Sequence, residues 1–215
     1  MTEPLAPSAA PPAPSPASRR PADVHAARAL ARVAVFAAVI AALGVPGAVP
    51  VPGIPVPITA QTLGVMLAGA VLGPRQGAAA VLLLEGLVAA GLPLLSGGRG
   101  GLGAFAGPPA GYLLGWVLGV LVIGWIVHAG ARRTGRVRPT WPRVLIGSFV
   151  GGIVVIYALG VPVQSAVTGL GLRETALLSA AFLPGDLIKV ILAAGITMGL
   201  HRAYPAAFRR PEARR

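Results

Sequence analysis

Arginines mark the joints of this chain. Arg19, Arg20, Arg28 and Arg32 precede one apolar run, Arg75 follows a Gly73-Pro74 turn, Arg132, Arg133, Arg136 and Arg138 fill one link, and Arg202, Arg209, Arg210, Arg214 and Arg215 close the sequence. Between these clusters the chain is nearly free of charge. Only 11% of its 215 residues are charged and 55% are hydrophobic, where soluble domains carry about 25% charged residues. Long apolar runs flanked by basic residues are the pattern of a polytopic membrane protein.

Six helices are predicted, over about residues 24–43, 59–72, 76–90, 110–129, 143–159 and 185–200, the second of them short; the length allows about six spans of roughly 20 residues with short loops. The fold class is therefore all-α, with a six-helix membrane domain over 23–202 and a basic tail over 203–215. Residues 1–22, rich in Pro, Ala and Ser, cannot bury a core and are expected to be disordered. The basic residues before the run 33–45 resemble a signal peptide, but they lie deep in the chain and Val45-Pro46-Gly47-Ala48 is a weak cleavage site, so the first helix is read as retained. Five prolines in 44–57 make a stiff extended loop.

Six spans put the N-terminus, the turn at 73–75, the link 132–138 and the C-terminus on one side, with every arginine except Arg99 and Arg173. Five or seven spans would put one basic end outside. The chain is thus expected to be a multi-pass protein of the cytoplasmic membrane with both termini cytoplasmic. The net charge of +12 follows from this orientation and from contact with anionic headgroups in the lipid bilayer; no nucleic-acid partner is implied. Trp125 and Trp141 read as interfacial belt residues.

Against this background the polar residues inside apolar segments stand out, because a charge near the bilayer centre costs about 2.5–3.5 kcal/mol on insertion scales. Asp186 and Lys189, the only lysine, are three apart and share one helix face. Pro184 suits the first helical position, which puts Asp186 in the first turn, near the positive end of the helix dipole. The pair is either the polar floor of a small-molecule site or a structural ion pair. Arg99 sits in the Gly-rich loop 91–107, between Gly98 and Gly100. It is either the grip of a lid on an anionic group, since a guanidinium is a planar fork for carboxylates, or a solvated loop residue. Glu85 is a protonated buried acid, a partner for Lys189 or Arg99, or a site residue. Gln61, with Thr59 and Thr62, either meets a polar ligand or belongs to a helix cap. Tyr112 lies close to the Gly-rich loop and is placed to line a pocket. Ala34, Ala38 and Ala42 form a small-residue stripe on the first helix, suited to a partner protein or to packing within the chain.

Other chemistries lack their residues. There are no cysteines. His25, His128 and His201 fall at predicted helix ends without ligand spacing and read as interfacial, so no metal or other cofactor is expected. The Gly-rich loop lacks the G-x-x-x-x-G-K-[ST] pattern of a P-loop, and no catalytic Ser/His/Asp set or paired carboxylates appear, so an enzyme is not indicated.

Pro55-Val56-Pro57-Ile58-Thr59-Ala60-Gln61-Thr62-Leu63-Gly64-Val65, Gly91-Leu92-Pro93, Gly97-Gly98-Arg99-Gly100-Gly101-Leu102-Gly103, Gly107-Pro108, Gly111-Tyr112 and Pro184-Gly185-Asp186-Leu187-Ile188-Lys189 together resemble the BioY family, biotin-specific substrate-binding (S) components of energy-coupling factor (ECF) transporters. The resemblance covers roughly residues 24–200. It implies a six-helix domain that binds biotin near its outer face under the Gly-rich loop. It further implies docking on a transmembrane coupling subunit served by two ATPase subunits, with Ala34, Ala38 and Ala42 as the contact. By the resemblance, Arg99 would meet the valerate carboxylate, Asp186 the ureido N–H groups and Lys189 the ureido oxygen, with Gln61 and Tyr112 as further contacts and Leu and Val covering the thiophane ring. An S component for another vitamin and a membrane assembly protein without a ligand are the alternatives.

Overall fold

The computed structural model describes residues 21–47, 49–51, 54–129 and 137–208. Of the tail expected over 1–22, residues 1–20 lie outside the described residues and 21–22 open a helix; Arg132, Arg133, Arg136 and the arginines from 209 onward also lie outside the described residues. Helix α1 (Pro21–Ala42) leads into strands β1 (Val49–Val51) and β2 (Ile54–Ile58), followed by α2 (Gln61–Leu72), α3 (Pro74–Ala89) and α4 (Ala110–Val127). Helix α5 (Trp141–Thr168) contains a π-helical segment, Val150–Val155. The short α6 (Leu172–Ser179) runs through the 3₁₀ turn Ala180–Phe182 into α7 (Leu183–Ala203).

Among the described residues four helices are long and apolar enough to cross a membrane: Asp23–Ala42, Ala110–Val127, Trp141–Thr168 and the combined Leu172–Ala203. Helices α2 and α3 have 12 and 16 residues, which at 1.5 Å per residue reach about 18 and 24 Å, short of a hydrocarbon core of about 30 Å. Of the proline-rich loop expected to be extended over 44–57, residues 44–46 form a turn after α1, while Val49–Val51 and Ile54–Ile58 are extended and pair antiparallel, with Val49 opposite Ile58. Helix α5 outruns its predicted end near residue 159. It continues past Pro162 and stops only where Gly169 takes a left-handed φ of 74°. The sequence leads one to expect a partly helical segment over 174–182 before the last helix; α6 and the 3₁₀ turn after it occupy that stretch, and α6 starts two residues earlier, taking in Arg173.

Helix α4 carries no charge and is the centre of the bundle, packed on α2 and α3 to one side and α5 to the other. Gly111, Gly115 and Gly119 form the seam with α5. A Cβ on Gly115 would lie 2.9 Å from the Ile156 Cα, and one on Gly119 would collide with the Gly151 carbonyl. Small residues at four-residue spacing let membrane helices touch backbone to backbone.

The two ends of the bundle differ in charge. At one end Arg32 donates to the Ala207 carbonyl at 3.3 Å, Val137 N–H to Phe208 O at 3.1 Å, and the Gly73–Pro74 turn packs against Gly124 and His128. This end collects the starts of α1 and α5, the α2–α3 turn with Arg75, and the ends of α4 and α7. Trp125 and Trp141 lie here, 60% and 44% exposed, as belt residues should be. His128 corrects the reading of helix-end histidines as interfacial: it is buried, with Nε2 3.0 Å from Ala70 O.

Candidate functional site

The opposite end holds a cavity with about 660 Å³ of empty space, its open mouth included. Its floor comes from the first turns of α7. Pro184 sits at the start of that helix and Asp186 in its first turn. Lys189, one turn on, donates to Asp186 Oδ1 at 2.8 Å and to Thr62 Oγ1 on α2 at 3.0 Å. The Tyr157 hydroxyl donates to Asp186 Oδ2 at 2.6 Å. Both side chains are largely buried, 12% exposed for Lys189 and 7% for Asp186. Such a pair persists only when paired and hydrogen-bonded. A carboxylate has about four lone-pair sites and an ammonium three N–H groups, so this pair retains both acceptor and donor capacity. Thr59 also borders the cavity. It does not cap α2, whose N-cap position is Ala60 with no side-chain cap bond.

One wall is aromatic. Tyr112, Tyr157 and Phe182 meet edge to face with centroids 6.1, 6.4 and 6.5 Å apart, and Trp116 extends the wall. The Tyr112 hydroxyl donates its proton to Gln164 Oε1 at 2.8 Å and accepts from the Ser179 hydroxyl at 3.0 Å. Gly160 is required here, because a Cβ would collide with the Tyr112 ring. The π-helical segment ends one residue before Ile156 and two before Tyr157, and such a segment turns the residues after it to a new face of the helix. Val56, Leu95 and Leu113 line the cavity beside these aromatic rings.

The third side is the Gly-rich loop. Leu95 and Arg99 exchange backbone hydrogen bonds, Leu95 N–H to Arg99 O at 3.0 Å and Arg99 N–H to Leu95 O at 3.3 Å. Gly98 and Gly101 hold φ of 70° and 82°, a region L side chains rarely adopt. A Cβ on Gly100 would collide with the Leu92 carbonyl. Arg99 borders the cavity and donates from Nε to Ser96 O at 3.2 Å. Among the described residues no carboxylate lies within salt-bridge distance of it. The Gln61 amide is buried and bonded to Ile40 O, Leu94 O and Ser96 N–H.

Arg99, Asp186, Lys189, Gln61 and Tyr112 thus converge on one cavity. Gly98 and Gly100 shape the loop on either side of Arg99 without lining it. Glu85 does not join them. It is buried on α3, with Oε1 lacking a hydrogen-bond partner, and it pairs with neither Lys189 nor Arg99. Ala34, Ala38 and Ala42 lie on the exposed face of α1, away from buried Ala37 and Ile40. Tyr157, Phe182, Gln164 and Ser179 were missed by sequence reasoning. The available signal was that a tyrosine or glutamine inside an apolar span needs a polar partner. Among the described residues no group of three or more His, Cys, Asp or Glu is placed to hold a metal.

The chain matches the BioY family over residues 15–206. It is 47% identical over 182 residues to the biotin transporter BioY of Rhizobium etli, covering 83% of this chain and 95% of that one. It is also 47% identical over 184 residues to the biotin transporter BioY of Rhodobacter capsulatus, covering 81% and 94%. The crystal structure of an S-component for biotin from an ECF-type ABC transporter superposes with a TM-score of 0.79 at 31% identity, over 87% of this chain and 98% of that one. Sequence match, close relatives and shared fold lead to one conclusion: the chain belongs to the BioY family.

Proposed function

We propose that the chain captures biotin for uptake across the cytoplasmic membrane, as the S component of an ECF transporter. The observation that carries this reading is a cavity bordered by an arginine without a carboxylate partner among the described residues on the loop side and by a bonded Asp–Lys pair at the floor. Biotin is a carboxylate tail on a ureido-fused ring. Arg99 receives the carboxylate through its fork. Asp186 accepts from the ureido N–H groups, and Lys189 donates to the ureido oxygen. Tyr112, Tyr157, Trp116 and Phe182 pack on the thiophane ring. Glu85 has no ligand contact in this reading.

Energy comes from partners: a transmembrane coupling subunit and two ATPase subunits. The exposed Ala34, Ala38 and Ala42 stripe supports docking of the coupling subunit on α1, because small side chains admit close helix approach. Six membrane passes follow if α2 and α3 each cross where the bilayer thins around them, as it does for a stretch shorter than the hydrocarbon core. The basic end of the bundle then faces the cytoplasm with both termini, and the cavity opens outward.

The test is equilibrium binding of labelled biotin to the purified full chain in detergent, with unlabelled biotin and unrelated vitamins as competitors. Saturable binding displaced by biotin alone is expected. Absence of saturable binding, or equal displacement by another vitamin, overturns the proposal.

A further inference from the structure

The carboxamide of Gln61 is a three-way joint. It is 1% exposed. Its nitrogen donates to Ile40 O at 3.3 Å and to Leu94 O at 3.0 Å, and its oxygen accepts the Ser96 N–H at 2.9 Å. Ile40 belongs to the last turn of α1, Gln61 opens α2, and Leu94 and Ser96 belong to the Gly-rich loop. The circuit continues to the ligand side, since the Ser96 carbonyl accepts the Arg99 Nε–H at 3.2 Å. There is little slack at the α1 end. A Cβ on Gly44 would stand 3.0 Å from the Gln61 amide carbon, and one on Gly64 would stand 2.9 Å from Ile40 Cγ1.

We propose that Gln61 is a positioning residue for substrate binding: its amide, already committed to three backbone groups, fixes Arg99 rather than touching the ligand, and makes the place of Arg99 depend on the last turn of α1. This rests on the proposed function, in which Arg99 meets the carboxylate. The outer face of the same helix is the exposed alanine stripe. A partner seated there bears on the helix whose end holds the joint. Sliding α1 against α2 by about an ångström stretches these bonds past useful length and releases the loop.

The test compares biotin with biotin amide, which keeps the rings and loses the tail's charge. Binding of each is measured to the purified full chain, as wild type, Gln61→Met, Gln61→Glu, Arg99→Gln and Gln61→Met with Arg99→Gln. Arg99→Gln is expected to bring biotin down to the affinity of its amide. Gln61→Met is expected to weaken biotin about tenfold, the scale of one or two buried hydrogen bonds, while changing the amide by less than about threefold. On the Arg99→Gln background it should change neither, because residues acting through one another are not additive. Gln61→Glu keeps the size and the acceptor for Ser96 but loses at least one donor, and should show the same selective loss; it decides the matter if Gln61→Met does not fold. Equal loss for both ligands, additivity with Arg99→Gln, or no change in either Gln61 variant overturns the inference alone. A wild type that does not bind biotin, or an Arg99→Gln variant that still prefers biotin to its amide, overturns the underlying reading and this inference with it.

Discussion

Tyr157 and Asp186 lie 29 residues apart, on α5 and α7, and meet in a 2.6 Å hydrogen bond from hydroxyl to carboxylate. That length is typical of a bond to an ionised acceptor. Lys189 holds the other oxygen, so the carboxylate is fixed from two directions before any ligand arrives. Acceptors held in place beforehand lose less on binding than mobile ones.

Tyr157→Phe tests this preorganisation. The ring stays, and with it the edge contacts to Tyr112 and Phe182. Only the bond to Asp186 is lost. Biotin affinity is expected to fall about tenfold, the low end for a hydrogen bond to a charged group, with the thermal unfolding temperature lowered less than by loss of the Lys189 charge. Unchanged binding in an equilibrium assay would remove Tyr157 from the site.

The ion pair separates stability from function. Lys189→Met alone leaves Asp186 buried with a single donor, and breaking a buried pair typically costs about 3–5 kcal/mol. Adding Asp186→Leu removes both charges together, which is often neutral. Thermal unfolding is therefore expected to drop in the single variant and to recover in the double, while biotin binding stays lost in both. Recovery of binding along with stability would make the pair structural only.

Asp186, Lys189 and Arg99 were legible in the sequence because ions are rare in apolar surroundings and need a reason. Tyr157 was not, since a tyrosine reads as one more large side chain until its partner is known, and that partner is on another helix. The π-helical segment has no compositional mark beyond Gly151-Gly152. The four-residue repeat of Gly111, Gly115 and Gly119 was visible, yet in a chain with 30 glycines only contact with α5 distinguishes it. His128 looked interfacial from its place at a helix end; Gly73, lacking a side chain, leaves the slot that buries it. The prolines of 44–57 announced the extended backbone of Val49–Val51 and Ile54–Ile58, though not the turn at 44–46. They could not announce a hairpin, because each proline removes a ladder donor.

Gly115→Val probes the seam that carries Tyr157. Its Cβ would press on the Ile156 backbone, which cannot yield as a flexible side-chain tip would. Overpacking of this kind costs about 1–3 kcal/mol, so a lower unfolding temperature is expected. Because Ile156 directly precedes Tyr157, biotin affinity should fall as well. A variant as stable as wild type would mean the α4–α5 contact has room for a side chain.

Ala38→Trp separates capture from delivery. Ala38 is exposed on α1, on the face opposite buried Ala37 and Ile40, so a large side chain meets nothing within the chain. Binding of labelled biotin to the purified variant is expected to match wild type. If the stripe seats the coupling subunit, an indole there holds the two helices apart, since close approach depends on small residues. Uptake by cells carrying the full transporter should then fall severely, and co-purification with the coupling subunit should be lost. Wild-type uptake in Ala38→Trp, with Ala34→Trp and Ala42→Trp behaving alike, would move the docking surface elsewhere on the bundle.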